Sequence, residues 1–384
     1  MTNDNVETLE FDELPPLSLY IHIPWCIRKC PYCDFNSHAI DDPLPEDEYV
    51  NALMKDLSKD LHWVQDRDVC SIFFGGGTPS LFSPSTIHRI LTGVGELLGV
   101  AKTVEITMEV NPGTVDRARL AGFRDAGVNR LSLGVQSFDD EKLAGLGRIH
   151  NGREAKRAIE ASRDAGFTNF NLDLIHGLPG QTIEQALTDL RTAISFSPSH
   201  ISWYQLTIEA NTEFYSNPPQ LPDEDLLWDI SRCGRSLLLQ QYDHYEVSAF
   251  CRPGSTALHN LNYWQFVDYL GIGAGAHGKI TLLDQQSILR SWKTRLPLHY
   301  INADKSAGVR VLDAGDVPLE FMMNALRLSD GVTTRLYCQR TGLPPESIAT
   351  FLRRARSRKL LRKGSRIQAT QRGLRYLNNL LELV

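Results

Sequence analysis

The chain lacks any uncharged apolar run approaching the about 18 residues that a membrane span requires. It also lacks a dominant charge: 40 Lys+Arg stand against 46 Asp+Glu, a net −6 over 384 residues. That near-balance excludes an intrinsically disordered chain and gives no global reason to bind nucleic acid or an anionic membrane. Glycine (28) and proline (19) are at ordinary levels, which removes collagen-like and low-complexity classes. The opening MTNDNVETLEFDELPP is acidic and has no apolar centre, unlike a secretory signal, so a soluble cytoplasmic protein is expected. Cysteine is scarce and odd in number: seven, of which Cys70, Cys233, Cys251 and Cys338 are scattered. A secreted disulfide scaffold would be shorter and more evenly loaded. What remains is a 42% hydrophobic chain able to bury the cores of two or three domains.

Short apolar runs recur at 18–23, 69–74, 103–110, 130–134, 169–174 and 200–206, each leading toward a helical pattern. Several are nearly continuous in apolar residues, as strands buried on both faces should be. Ile183, Leu187, Leu190 and Ile194 keep helical spacing, and Ser83-Pro84 reads as an N-cap with proline in the first turn. Gly127 and Gly166 stand where helices should stop. Six strand–helix units in a row predict an α/β fold whose parallel sheet is curved into a full or partial barrel, with an open doubly wound sheet as the alternative. Polar or glycine-rich elements follow most of these strands, which is where parallel α/β folds collect their chemistry. The expected division is an acidic tail over 1–16, a barrel domain over 17–280, a connecting segment over 281–317, and a small, mainly helical, winged-helix-like domain over 318–384. Residues 351–384 hold ten Lys/Arg and one acid, a local +9 that leaves −15 on the rest. Such a charge run is usually a solvated face.

Three cysteines crowd into Cys26-Ile-Arg-Lys-Cys30-Pro-Tyr-Cys33, directly after the first strand. Zinc would need a fourth ligand, His22 or His38. Structural zinc sites usually pair one short cysteine knuckle with a second, and none follows here. Three thiolates instead suit an iron–sulfur cluster with one iron left open, and the spacing favours that reading.

The CxxxCxxC loop with Tyr32 before its last cysteine, and the Gly75-Gly76-Gly77-Thr78-Pro79 run after the second strand, resemble the radical S-adenosylmethionine (SAM) superfamily. The resemblance implies a partial (β/α)6-type barrel. It implies a [4Fe–4S] cluster that binds SAM at its open iron and, once reduced, cleaves it to a 5′-deoxyadenosyl radical. Leu19-Tyr-Ile-His-Ile-Pro-Trp-Cys26, Phe73-Phe-Gly-Gly-Gly-Thr-Pro-Ser80, Gly134-Val-Gln-Ser-Phe138, Leu146-Gly-Arg-Ile-His150 and Asp173-Leu-Ile-His-Gly-Leu-Pro-Gly-Gln181 narrow it. They are similar to the oxygen-independent coproporphyrinogen III oxidase family, HemN, and its paralogue, the HemW heme chaperones. Phe35 stands where the oxidase branch carries a fourth cysteine. His259-Asn-Leu-Asn-Tyr263-Trp264 matches the HNxxYW motif of the heme-binding branch.

By this resemblance Cys26, Cys30 and Cys33 hold the cluster. Gly76, Gly77 and Thr78 would offer backbone N–H groups to the methionyl part of SAM, and Tyr32 would pack beside the adenine. Gln136 and Asp173 would bond the ribose, and Arg148 would grip a carboxylate through its guanidinium fork. Tyr20 and Glu109 match contacts to a second SAM in the oxidase. His259 is the expected axial ligand of heme iron, flanked by Tyr263 and Trp264. The implied function is a heme chaperone handing heme to acceptors such as respiratory enzymes, a carrier more than a catalyst, with peripheral membrane contact and dimerisation open. Decarboxylation of coproporphyrinogen propionates is the catalytic alternative. Radical modification of RNA, suggested by the basic tail, is a third, weakened by the tail's lack of clustered aromatics for base stacking.

Overall fold

The structure, a computed structural model, describes residues 8–40, 43–302 and 307–384. The first seven residues of the expected acidic tail lie outside them. The six strands expected from sequence form and pair in order, all parallel: β1 Leu17–Ile23, β2 Val69–Gly76, β3 Val100–Val110, β4 Arg130–Gln136, β5 Phe170–His176 and β6 His200–Gln205. Helices pack outside them against one apolar layer that includes Leu17, Leu19, Phe74, Met108, Leu133 and Leu172. Ser83 caps Pro84–Leu97 by accepting from the Thr86 N–H, and Asn151–Glu154 and Thr182–Gln185 form reciprocal capping boxes. Gly127 (φ 115°) and Gly166 (φ 87°) end their helices in a conformation other residues avoid.

The strands are less uniformly apolar than continuous runs would be, because successive side chains face opposite ways. Outward positions carry the aliphatic layer. Inward ones carry Ser18, Tyr20 and His22 on β1, Glu105, Thr107 and Glu109 on β3, Arg130, Ser132 and Gln136 on β4, and Asn171 and Asp173 on β5. The inner face of the sheet is therefore polar by construction, and that face is where a site can form.

The sheet does not stop at six strands, nor does it close. Asp243–Glu246 (β7) and Ala249–Cys251 (β8) add an antiparallel pair beside β6. Asp268–Ile272 (β9) runs parallel to β1 on its other side, and His277–Leu282 (β10), Ser287–Trp292 (β11) and Gly308–Val311 (β12) continue antiparallel. The order is β12-β11-β10-β9-β1-β2-β3-β4-β5-β6-β8-β7, a mixed, open twelve-stranded sheet. Residues 281–317, expected as a connection, instead hold β11 and β12. Asp268, fully buried, binds this extension by accepting from Lys279 Nζ at 2.8 Å and Arg67 Nη1 at 2.7 Å.

The C-terminal unit has its own core, built on Phe321, Met322, Tyr337, Ile348 and Phe351. The helices Val317–Ala325, Thr334–Thr341 and Ala349–Ser357 surround it, with an antiparallel pair, Val332–Thr333 and Arg366–Ile367, as a small wing. The middle helix was not anticipated from sequence. Leu9 and Phe11 are buried in this second core, so the described part of the expected tail is packed. Phe266, at the entry to β9, sits there too and joins the two cores.

Candidate cofactor site

The cysteine loop leaves β1 at Pro24 and returns through a two-residue parallel pairing of Trp25–Cys26 with His38–Ala39. Asn36 pins its far end, donating to Ala274 O at 2.9 Å and Arg295 O at 2.8 Å. Its own carbonyl accepts from His22 Nε2 at 2.9 Å, which leaves His22 Nδ1 to accept from Tyr20 OH at 2.9 Å. Burial holds His22 near pKa 4, so it stays neutral.

Each sulfur has a donor from a different part of the chain. Thr78 Oγ1 lies 3.5 Å from Cys26 Sγ, Arg148 Nη1 lies 3.6 Å from Cys30 Sγ, and Ser37 Oγ lies 3.7 Å from Cys33 Sγ. Burial first, and then the neighbouring cysteines, raise the Cys26 and Cys33 thiols, while the hydroxyls of Thr78 on Cys26 and of Ser37 on Cys33 pull the other way. Donors arranged around thiolates are the outer partners an iron–sulfur cluster uses. Among the described residues no three His, Cys, Asp or Glu side chains converge as on a single bare ion. A Cys₃His zinc site would also require His22, whose two nitrogens are engaged, or His38, whose Nε2 donates to Asn36 Oδ1 at 3.3 Å. The residues present fit a cluster held by Cys26, Cys30 and Cys33.

Below the thiols opens a cavity of about 480 Å³, lined by the three cysteines, Tyr32, Gly76, Gly77, Thr78, Glu109, Gln136, Arg148 and Asp173. Every residue expected at the site is brought to it except Tyr20 and His259. The glycines are demanded by packing. A Cβ on Gly77 would sit 2.5 Å from Trp25 O, and one on Gly76 (φ 115°) would sit 2.5 Å from the His22 ring. Their expected role as N–H donors needs correction, because those groups are already used. Gly76 N donates to Glu109 Oε2 at 3.1 Å, Gly77 N to Ile23 O at 2.7 Å and Thr78 N to Trp25 O at 2.7 Å. The run lets a ligand approach closely but does not lend it these hydrogens.

Glu109 is pushed up to about 8, chiefly by burial and then by the Asp173 charge, against the opposing Gly76 bond. It therefore favours its neutral, hydrogen-donating form at pH 7. Asp173 is also raised by burial, although Ser132 Oγ (2.7 Å) and Asn171 Nδ2 (2.8 Å) donate to it. Gln136 has φ 67° at a break in the β4–β5 register, a strained position that turns its side chain into the cavity. Arg148 Nη2 donates to Gly134 O at 2.9 Å while its buried Nε has no partner among the described residues, leaving an edge free for a ligand. Tyr32 packs against Phe214. Tyr20 lies behind this wall, stacked on Phe73 and bonded to His22.

His259 is elsewhere. The helix Leu258–Trp264 lies against the inner face of the sheet and forms the floor of the cavity. It has no side-chain cap of its own; Glu105 from β3 accepts from Leu258 N at 3.2 Å and His259 N at 3.1 Å. His259 is 2% exposed. Its Nδ1 donates to Ser71 Oγ at 2.9 Å, since that hydroxyl donates onward to Ser18, and its Nε2 accepts from Tyr263 OH at 3.2 Å. Asn262 Nδ2 donates to Ser18 Oγ at 2.8 Å. Burial, then the Arg130 charge, holds His259 near pKa 3. Tyr263 packs edge-on against Tyr269, and Trp264 faces away under the Arg327 guanidinium at 4.4 Å. The motif thus reads locally as a floor keyed into β1, β2 and β3.

The sequence reading missed Arg130, Ser132, Asn171 and Ser202, all of which line the cavity. For Arg130 and Ser132 the signal was the alternation Arg130-x-Ser132-x-Gly134-x-Gln136, non-apolar residues at every second place within a buried strand.

Residues 20–193 match the Radical SAM superfamily and residues 312–376 match the HemN C-terminal domain. The chain is 51% identical to the heme chaperone HemW of Escherichia coli over 97% of its own length and 98% of the relative's. The chain belongs to the HemW family. The Bacillus subtilis HemW is 34% identical over 85% of this chain and 87% of that one. The solved coproporphyrinogen III oxidase HemN of Escherichia coli superposes with a TM-score of 0.81 at 23% identity, covering 96% of this chain and 90% of that chain, a shared fold. As a HemW family member the chain carries Phe35 in an exposed position beside the cluster loop. Among its described residues no helix is long and apolar enough to cross a membrane.

Proposed function

We propose that this chain is a heme chaperone that binds heme, carries a [4Fe–4S] cluster with SAM, and passes heme to acceptor proteins. The observation that carries the reading is the near full-length likeness to the heme chaperone of Escherichia coli, with that of Bacillus subtilis matching over most of the chain. The three thiols with their separate donors support the cluster, and the cavity below supports SAM.

In this reading Cys26, Cys30 and Cys33 are the cluster ligands. Arg148 and Glu109 present a cation and a proton donor to a carboxylate, and Gln136 and Asp173 take hydroxyl groups. A reduced cluster with SAM bound supplies one-electron chemistry; the chain's residues orient the ligand and exclude water. Iron ligation by His259 requires Tyr263 to release Nε2, so heme capture at this motif goes with a shift of the floor helix. The test is an anaerobic hemin titration of the reconstituted chain, followed at the Soret band. Stoichiometric binding is expected; failure of the wild type to bind overturns the reading.

A further inference from the structure

The cavity contains a second cation that nothing above uses. Arg130 opens β4 with its side chain on the inner face, is 2% exposed, and lines the same cavity as the cysteines. Among the described residues its Nε has no hydrogen-bond partner and its guanidinium makes no ion pair within 4 Å. The acid nearest in effect, Asp173, is committed to Ser132 and Asn171. The two histidines that feel its charge, His200 and His259, are held neutral chiefly by burial. His200 is further engaged by Asn171 at 2.6 Å and Tyr245 OH at 2.8 Å. A buried guanidinium without a counter-charge is costly, and native chains keep one only where a partner arrives.

Arg130 and Arg148 mark opposite ends of the cavity. Arg148 is tied to Cys30 and to Gly134, four residues along β4 from Arg130. At the rise of a strand that separates the two attachment points by roughly 13 Å. A carboxylate gripped by Arg148 beside the thiols therefore leaves Arg130, which enters the cavity four residues earlier along β4, open to a different group.

The geometry points to Arg130 as the floor anchor for a carboxylate of a second ligand, one distinct from the SAM held at the thiol end. A planar fork with a free edge, flanked by the Ser132 and Asn171 side chains, suits a carboxylate in bidentate contact. A tetrapyrrole propionate is the ligand class that this deepens; the inference rests on the proposed SAM position at the thiols.

The test uses the full, anaerobically reconstituted chain and three probes: mesoporphyrin IX, its dimethyl ester, and SAM. Porphyrin binding is read by fluorescence and SAM binding by equilibrium dialysis. Arg130→Gln is expected to weaken mesoporphyrin roughly ten- to hundred-fold, the range for a hydrogen-bonded charged pair. It is expected to leave SAM unchanged, while Arg130→Lys recovers part of the loss. The ester should bind wild type about as weakly as the acid binds Arg130→Gln. If Arg130→Gln instead loses SAM and keeps mesoporphyrin, the carboxylate is that of SAM and the inference falls. It also falls if neither affinity changes, or if wild type binds no mesoporphyrin. Should Arg130→Gln not fold, as read by circular dichroism, the acid-against-ester comparison on wild type decides, and equal affinities overturn the site. Wild type that binds mesoporphyrin but gives no hemin Soret band would sink the heme-carrier reading and leave Arg130 standing.

Discussion

Replacing His259 with alanine separates two roles for the HNxxYW helix. As part of the floor, His259 contributes bonds to Ser71 and Tyr263 and fills space beneath Phe73, whose ring stacks on it at 5.0 Å. Truncation leaves the buried Tyr263 hydroxyl without an acceptor, which costs about 1–3 kcal/mol, and Ser71 loses one of its three bonds, keeping those to Ser18 and Asn262. Adding the void left by the imidazole brings the expected loss to roughly 3–5 kcal/mol. With an unfolding entropy of about 2.1 cal/mol/K per residue over 384 residues, this lowers Tm by roughly 4–6 °C if the chain melts as one unit. Tyr263→Phe is the informative companion. It removes the phenol but frees His259 Nε2, so it should cost about 1–2 kcal/mol and strengthen hemin binding if the histidine ligates iron. The assays are thermal melts of the metal-free chain and hemin titrations of both variants. A Tm change under about 1 °C for His259→Ala would refute the floor reasoning.

Gly77→Ala drives a Cβ to 2.5 Å from Trp25 O, and backbone cannot move aside there without shifting the cysteine loop. Iron and sulfide per chain after reconstitution should fall by half or more, with circular dichroism unchanged; full loading would refute the close-approach argument. Gly95→Ala, in the helix Pro84–Leu97 with nothing within 4 Å of the added methyl, is the matched control and should stabilise by up to about 1 kcal/mol. Acid should weaken the fold early. His22, His150, His176 and His244 are each held near 4, first by burial, against 6.5 unfolded. Because the folded state binds fewer protons, stability present above pH 6.5 drains away as pH falls toward 4, at roughly 1–2 kcal/mol per histidine by pH 5. Glu109 (about 8) and Asp189 (about 6) act with opposite sign and gain stability on acidification, offsetting part of this. The urea midpoint of the apo-chain should still drop between pH 7 and 5; a flat profile would show that the histidines are hydrated.

Sequence carried the six parallel strands because their outward positions are aliphatic or aromatic, as Leu19, Phe74 and Leu172 are, and it carried the cysteine loop because its spacing favours a cluster over a zinc knuckle. It did not carry β9 to β12. Those strands are four to six residues long, and a stretch such as Gly273-Ala-Gly-Ala-His-Gly278 has neither apolar alternation nor length to announce the pairings it leads into. The helix Thr334–Thr341 hid for a similar reason: only Leu336, Tyr337 and Cys338 mark its apolar side. Within the site, residues at strand ends were legible as polar punctuation. Arg130, Ser132 and Asn171 lie deeper along β4 and β5, where a polar side chain signals only through its alternation with buried neighbours. His259 was legible as a motif residue, but its engagement with Ser71 joins positions 188 apart in the chain.

The floor helix also sets where this protein can be cut. The Radical SAM match ends at residue 193, and the sixth strand ends at Gln205. A fragment ending there would contain Cys26, Cys30 and Cys33 and nearly every residue at the cavity's upper end. It would not contain the helix that gives Glu105 its two N–H partners and Ser71 its imidazole, nor β9, which shields the open edge of β1. The gene segment for an independently folding unit therefore extends past the last residue that lines the cavity, through β12. Chimeras that swap a radical SAM half between relatives should join after residue 311, not near 200.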